Sequence, residues 1–106
     1  MITLTKNQPT NERTAKNMEK LERFNHFKEK HPDCLLLFRY GHFYYAYKED
    51  AAKLTESCNV SQQPLDGTDA MVASFPQQAL DIYLPKMIRK GYRVAITDCE
   101  EYTTNH

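Results

Sequence analysis

The sequence predicts an α+β domain built as a single mixed β-sheet packed with about three helices. Three observations carry this. The run Leu35-Leu36-Leu37-Phe38 is apolar without interruption, the pattern of a strand covered on both faces. Two other segments, Thr14 to Lys30 and Ala79 to Ile88, place apolar residues at helical spacing. Strand-like and helix-like segments then alternate along 106 residues, a length that makes one domain burying roughly 60–65% of its unfolded surface.

Residues 1–12 are polar, with Asn7-Gln8-Pro9-Thr10-Asn11 as breaker chemistry, and read as a loose lead-in to a domain over residues 13–101. In the first helix Met18, Leu21, Phe24 and Phe27 recur every third position, which makes a broad stripe. The other side, with Lys16, Glu19, Lys20, Glu22 and Arg23, reads as a solvated, ion-paired face. Pro32 ends the helix. Cys34 to Tyr40 is predicted as a central strand. After Gly41, His42 to Lys48 either continues it or returns as its hairpin partner. Period two puts Phe43, Tyr45 and Tyr47 on one face and His42, Tyr44 and Ala46 on the other. Glu49 and Asp50 place negative charge at the start of a short helix closing near Asn59.

Val60 to Gln62 is expected as a short strand, Asp66-Gly67 as a tight turn and Ala70 to Phe75 as a further strand. A helix is then predicted from Pro76 to Lys90. Ala79, Leu80, Tyr83, Leu84, Met87 and Ile88 lie on one side of it, and Gly91 caps it. Pro85 inside it predicts a kink or restart, since an uncompensated interior proline costs about 3 kcal/mol. Tyr92 to Thr97 is the last strand, followed by an exposed tail, residues 102–106 of which lie beyond the domain.

Lys plus Arg equal Asp plus Glu at 14 each, so no global field marks the chain as a nucleic-acid binder, and any such binding rests on local patches. The three cysteines, Cys34, Cys58 and Cys99, show no metal-ligand spacing and read as reduced thiols of a cytoplasmic protein. No apolar run is long enough for a membrane span, and Met1 to Lys6 lacks a signal-peptide layout. No nucleophile–base pair, carboxylate pair or His/Cys cluster stands out, so no enzyme activity, cofactor or metal is expected. His42 has no acidic or histidine neighbour to give it a base or ligand role.

The segment Leu35 to Ala51, "LLLFRYGHFYYAYKEDA", resembles the "LLFRMGDFYELF…DA" stretch of the mismatch-recognition domain at the N-terminus of the DNA mismatch-repair protein MutS. Met71 to Leu84 is similar to that family's "MAGIPYHA…YL", and Lys86 to Ile96 to its "KLVxxGYRVAI", in the same order. The resemblance covers roughly Lys20 to Glu101 and implies the family's α+β fold. It also implies a role for Phe43, which stands where the family's Phe-x-Glu phenylalanine wedges in at a mispaired base. Tyr45 stands at the glutamate position and His42 at the preceding aspartate. Ser74 replaces a glycine, and Gln77-Gln78 a Tyr-His pair. With three glycines and no G-x-x-x-x-G-K-[ST], the sequence holds no phosphate-cradling loop and hence no ATPase.

The expected function is therefore non-catalytic binding of duplex or mismatched DNA. Phe43, Tyr45 and Tyr47 are the candidate stacking rings; Arg39, Lys48, Lys86, Arg89, Lys90 and Arg93 are the candidate phosphate contacts. The alternative is a protein-interaction or self-associating module, a homodimer for example, that kept the fold and lost DNA recognition. A basic stripe beside an exposed Phe43 favours nucleic acid. A buried Phe43 with an apolar tyrosine patch favours a protein partner.

Overall fold

The computed structural model describes residues 11–99. Residues 1–10 of the expected 1–12 lead-in and the expected tail from Glu100 lie outside the described residues, whereas Asn11 and Glu12, also expected as lead-in, open the first helix. Elements follow in the order α1 (Asn11–Lys30), β1 (Cys34–Tyr40), β2 (Phe43–Tyr47), α2 (Glu49–Cys58), β3 (Gln62–Pro64), β4 (Met71–Pro76), a 3-10 turn (Gln77–Ala79), α3 (Leu80–Arg89) and β5 (Arg93–Cys99). The five strands form one mixed sheet in the order β3-β4-β2-β1-β5. β1 pairs antiparallel with β2 and parallel with β5, and β4 pairs antiparallel with β2 and β3. The predicted α+β class is what the chain adopts.

Alternation along β1 divides the core. Leu35 and Leu37 face one side, where Tyr44, Ala46, Ala51, Leu54, Ala73, Phe75 and Met87 close an aliphatic-rich cluster under α2 and α3. Leu36, Phe38 and Tyr40 face the other, joining Phe24 and Tyr47 beneath α1. Both sides of β1 are thus covered, the physical reason for its unbroken apolar run. The second cluster is aromatic: Phe24, Phe27, Phe38 and Tyr47 contact one another at centroid separations of 5.9–6.2 Å.

The end of the sheet where β1 begins is fastened by a buried carboxylate. Asp50, fully buried in the first turn of α2, accepts bonds from Lys28 Nζ (3.0 and 3.2 Å) and from the backbone N–H of Leu36 (3.0 Å). Lys28 also donates to the Cys34 carbonyl. One carboxylate therefore ties α1, β1 and α2 together. Burial pushes its pKa up, against the pull of the Leu36 N–H and Lys28.

Three expectations are corrected. The strand expected at Val60–Gln62 is Gln62–Pro64; Val60 packs on the α2–α3 cluster instead, its carbonyl accepting from Thr55 Oγ1. The helix expected from Pro76 to Lys90 begins as a 3-10 turn and becomes α-helical only at Leu80, and it does not restart at Pro85, through which α3 runs. The one intrahelical bond that Pro85 removes would have gone to Asp81, and both residues are exposed, where a freed carbonyl is open to solvent rather than stranded in the core. The ion pairs expected along the polar face of α1 do not form among the described residues, because Lys20 and Arg23 turn to Tyr40 instead. The end of α3 follows the expected chemistry. Gly91, at φ +93, donates to Ile88, and Tyr92 donates to Met87, the double closure of a Schellman cap.

Candidate nucleic-acid interface

β1 and β2 are joined by Gly41 and His42 alone, with Tyr40 and Phe43 as the closing pair. Gly41 has φ +65 and His42 is not among the positive-φ residues, the requirement of a type II′ hairpin turn that glycine meets without strain. The turn is held from both sides. Arg39 Nη1 donates to the Gly41 carbonyl (2.6 Å), and the Gln77 N–H donates to the His42 carbonyl (2.8 Å). Arg39 also pairs with Asp98, its register partner on β5.

Phe43 opens β2 at this rim and is 41% exposed. Its ring lies 6.4 Å from Tyr45, which in turn meets Tyr40 edge-on at 5.8 Å. The three form a row along the sheet end on the α1 side. Tyr47 shares the face, as period two predicts, but it is 1% exposed and packed against Phe24 and Phe38. Its expected stacking role is corrected to core packing, because α1 covers the sheet from Tyr47 inward and leaves only the rim open.

The cations nearest the ring row come from α1. Lys20 Nζ lies 4.6 Å from the Tyr40 centroid and 5.8 Å from that of Tyr45. Arg23 Nη1 donates to Tyr40 Oη at 2.9 Å, its guanidinium 5.9 Å from the Tyr40 centroid. Burial, helped by neighbouring Cys99, raises the Tyr40 phenol's pKa, with Arg23 pulling the other way. The phenol therefore stays protonated at neutral pH.

The other expected phosphate contacts fall elsewhere. Lys86, Arg89 and Lys90 are exposed on α3, on the opposite face of the sheet, and Lys90 faces Glu56 at 4.0 Å. The chain leaves α3 into Arg93, which pairs with Cys34, six residues down β1 from Tyr40 and so about 20 Å from the hairpin rim. Arg93 stands at that same far end. Lys48 bonds Asn25 at the bottom of β2. Of the expected cations, the structure brings only Arg39 to the end that holds Phe43. Sequence reading missed Lys20 and Arg23 as neighbours of the rings. Their i, i+3 spacing on one helix face was the available signal, but the intervening Glu19 and Glu22 made ion pairing the simpler expectation.

The residues singled out as departures from the family motif gather around Phe43. His42 forms the turn, Tyr45 is the neighbouring ring and Ser74 is Tyr45's register partner. Pro76 pairs with Phe43, and Gln77-Gln78 follow it.

This fold and rim define a small α+β domain that presents an aromatic hairpin end to solvent. The model of the MutS domain I family matches residues 18–106, and the chain belongs to that family. Its curated relatives are full proteins named DNA mismatch repair protein MutS. That of Flavobacterium johnsoniae is 36% identical over 90 residues, covering 82% of this chain and 10% of that protein. Those of Porphyromonas gingivalis and Parabacteroides distasonis are 43% and 44% identical over 81 residues, covering 74% of this chain and 9% of each. The chain thus spans about a tenth of the length of the relatives it matches. None of the described helices is long and apolar enough to cross a membrane.

Proposed function

We propose that this domain binds DNA without catalysis through its hairpin rim. The Phe43 ring enters where base pairing is disturbed, and Tyr45 offers a phenol in place of the family's carboxylate. One observation carries the reading: an exposed Phe43 beside half-buried Tyr45 and the Tyr40–Lys20–Arg23 cluster, on a face where Phe24, Phe38 and Tyr47 are buried. A phenol donates a hydrogen bond but carries no negative charge, so the preference for a mismatch over matched duplex is weaker than an acidic partner would supply.

The test is binding of the domain to matched and mismatched duplexes across a salt series. Phe43→Ala is expected to lose about 1–3 kcal/mol of affinity with the salt slope unchanged, since stacking releases no counterions. Tyr45→Glu is expected to raise the mismatch preference if Ser74 and the strand end hold the family geometry. Absence of duplex and mismatch binding at low salt refutes the reading. It would leave the interaction-module reading, to which the exposed Ile82 and Ile88 on α3 lend a surface.

A further inference from the structure

We propose that Lys16, Lys20 and Arg23 form a phosphate shelf beside the Phe43–Tyr45–Tyr40 ring row, and that rim and shelf together fit single-stranded DNA: a base on the accessible Phe43 and Tyr45 rings, with buried Tyr40 holding the cations, and its flanking phosphate on the shelf. This rests on the DNA-binding reading above and extends it to a ligand class.

The three cations occupy positions i, i+4 and i+7 of α1 and therefore share one helix face. With Glu19 and Tyr40 they line a cleft of about 170 Å³. That suits a phosphate group and falls below the roughly 300–1,000 Å³ of sites that enclose a whole small molecule. Among the described residues none of the three cations makes an ion pair. The structure's ion pairs instead engage Arg13, Lys28, Arg39, Lys53 and Lys90. Lys20 and Arg23 are positioned by the Tyr40 ring and hydroxyl, which orient a cation without neutralising it. Among the described residues the carboxylates on this side include Glu19, in the cleft itself, Glu22, next to Arg23 on α1, and Asp98, already held by Arg39.

The replacement at position 45 acts in the same direction. A carboxylate there would stand on the ring row that Lys20 overhangs, pairing with Lys20 and repelling a phosphate; Tyr45 does neither and adds a second stacking surface. Aromatic rings flanked by uncompensated cations are how sequence-tolerant single-strand sites are built.

The test measures binding of a labelled oligothymidylate, an oligouridylate and a matched DNA duplex to the domain across a salt series, with folding of each variant checked by circular dichroism. Wild type is expected to bind oligothymidylate more tightly than the matched duplex. Lys20→Ala combined with Arg23→Ala is expected to lower the single-strand salt slope by about 0.7 for each phosphate no longer neutralised. Because Arg23 also packs on Tyr40, Lys16→Gln with Lys20→Gln serves as the second variant and is expected to lower the slope in the same way. An unchanged slope in the Lys16/Lys20 variant, while Phe43→Ala still weakens binding, overturns the shelf and leaves the DNA-binding reading standing. Tighter binding to the duplex overturns the single-strand assignment, and tighter binding to oligouridylate overturns the choice of DNA. Loss of all binding in wild type sinks both readings together.

Discussion

The two ends of the sheet are built for different things. Where β1 begins, polar chemistry is buried and satisfied: fully buried Asp50 accepts from Lys28 and from the Leu36 N–H. Where β1 ends, aromatic chemistry is left open: Phe43 is exposed, Tyr45 half-buried, and the cations beside them lean on rings rather than on carboxylates. Arg39 apart, the charged residues most suggestive in the sequence are thus not the ones at the site. Arg89 and Lys90 stand adjacent in the chain at the far end, whereas Lys20 and Arg23 reach the rim from α1, twenty and seventeen residues before Tyr40.

Substitutions at the closed end should cost the most. Asp50→Ala strips a buried cation of its partner and should remove about 3–5 kcal/mol of folding stability by urea denaturation. A cost below about 1 kcal/mol would mean the knot does not fasten the three elements. Leu36→Ala, in the middle of β1 beneath α1, should cost about 2–5 kcal/mol in the same assay. A change under about half a kcal/mol would show that strand to be peripheral.

At the open end the same kind of truncation should be nearly silent in folding. Phe43→Ala is expected to change stability by about 1 kcal/mol or less, since much of the ring is already in water. A folding loss of about 3–5 kcal/mol would make Phe43 a core ring and erase the distinction between the ends.

A smaller effect separates the ends by pH. Burial raises the pKa of Asp50, so the folded state holds that proton more tightly than the unfolded chain. The stability linked to its titration is fully present below the ordinary aspartate pKa and is lost as pH rises through the raised folded value. Relative to Asp50→Asn, which does not titrate, wild type should therefore lose stability as pH climbs through that window. The opposite slope would show that Lys28 and the Leu36 N–H outweigh burial.

Much of this was legible in the sequence because single residues carried it. The apolar run of β1, the end of α2 near Asn59 and Gly91 closing α3 are local signals that local physics honoured, and of the two paths left open after Gly41 the chain takes the hairpin. What stayed hidden was set by packing. Period two placed Tyr47 with Phe43 correctly, yet it could not say that α1 covers one and stops short of the other. Asp50 looked like a helix-terminal charge because the N–H and ammonium that bury it come from fourteen and twenty-two residues away. The Tyr40–Lys20–Arg23 cluster was invisible for the same reason. Only the path of α1 over the sheet decides whether its lysines meet Glu19 and Glu22 or the rings.

Whether the hairpin rim or the α3 end is the DNA face can be decided by salt-titrated binding of a mismatched duplex to wild type, Phe43→Ala and the Arg89→Ala/Lys90→Ala double variant. If the rim is the face, Phe43→Ala loses about 1–3 kcal/mol at constant slope, while the double variant keeps both affinity and slope. Unchanged binding by Phe43→Ala, with the double variant's slope falling by about 0.9 for each phosphate it no longer neutralises, would contradict that assignment.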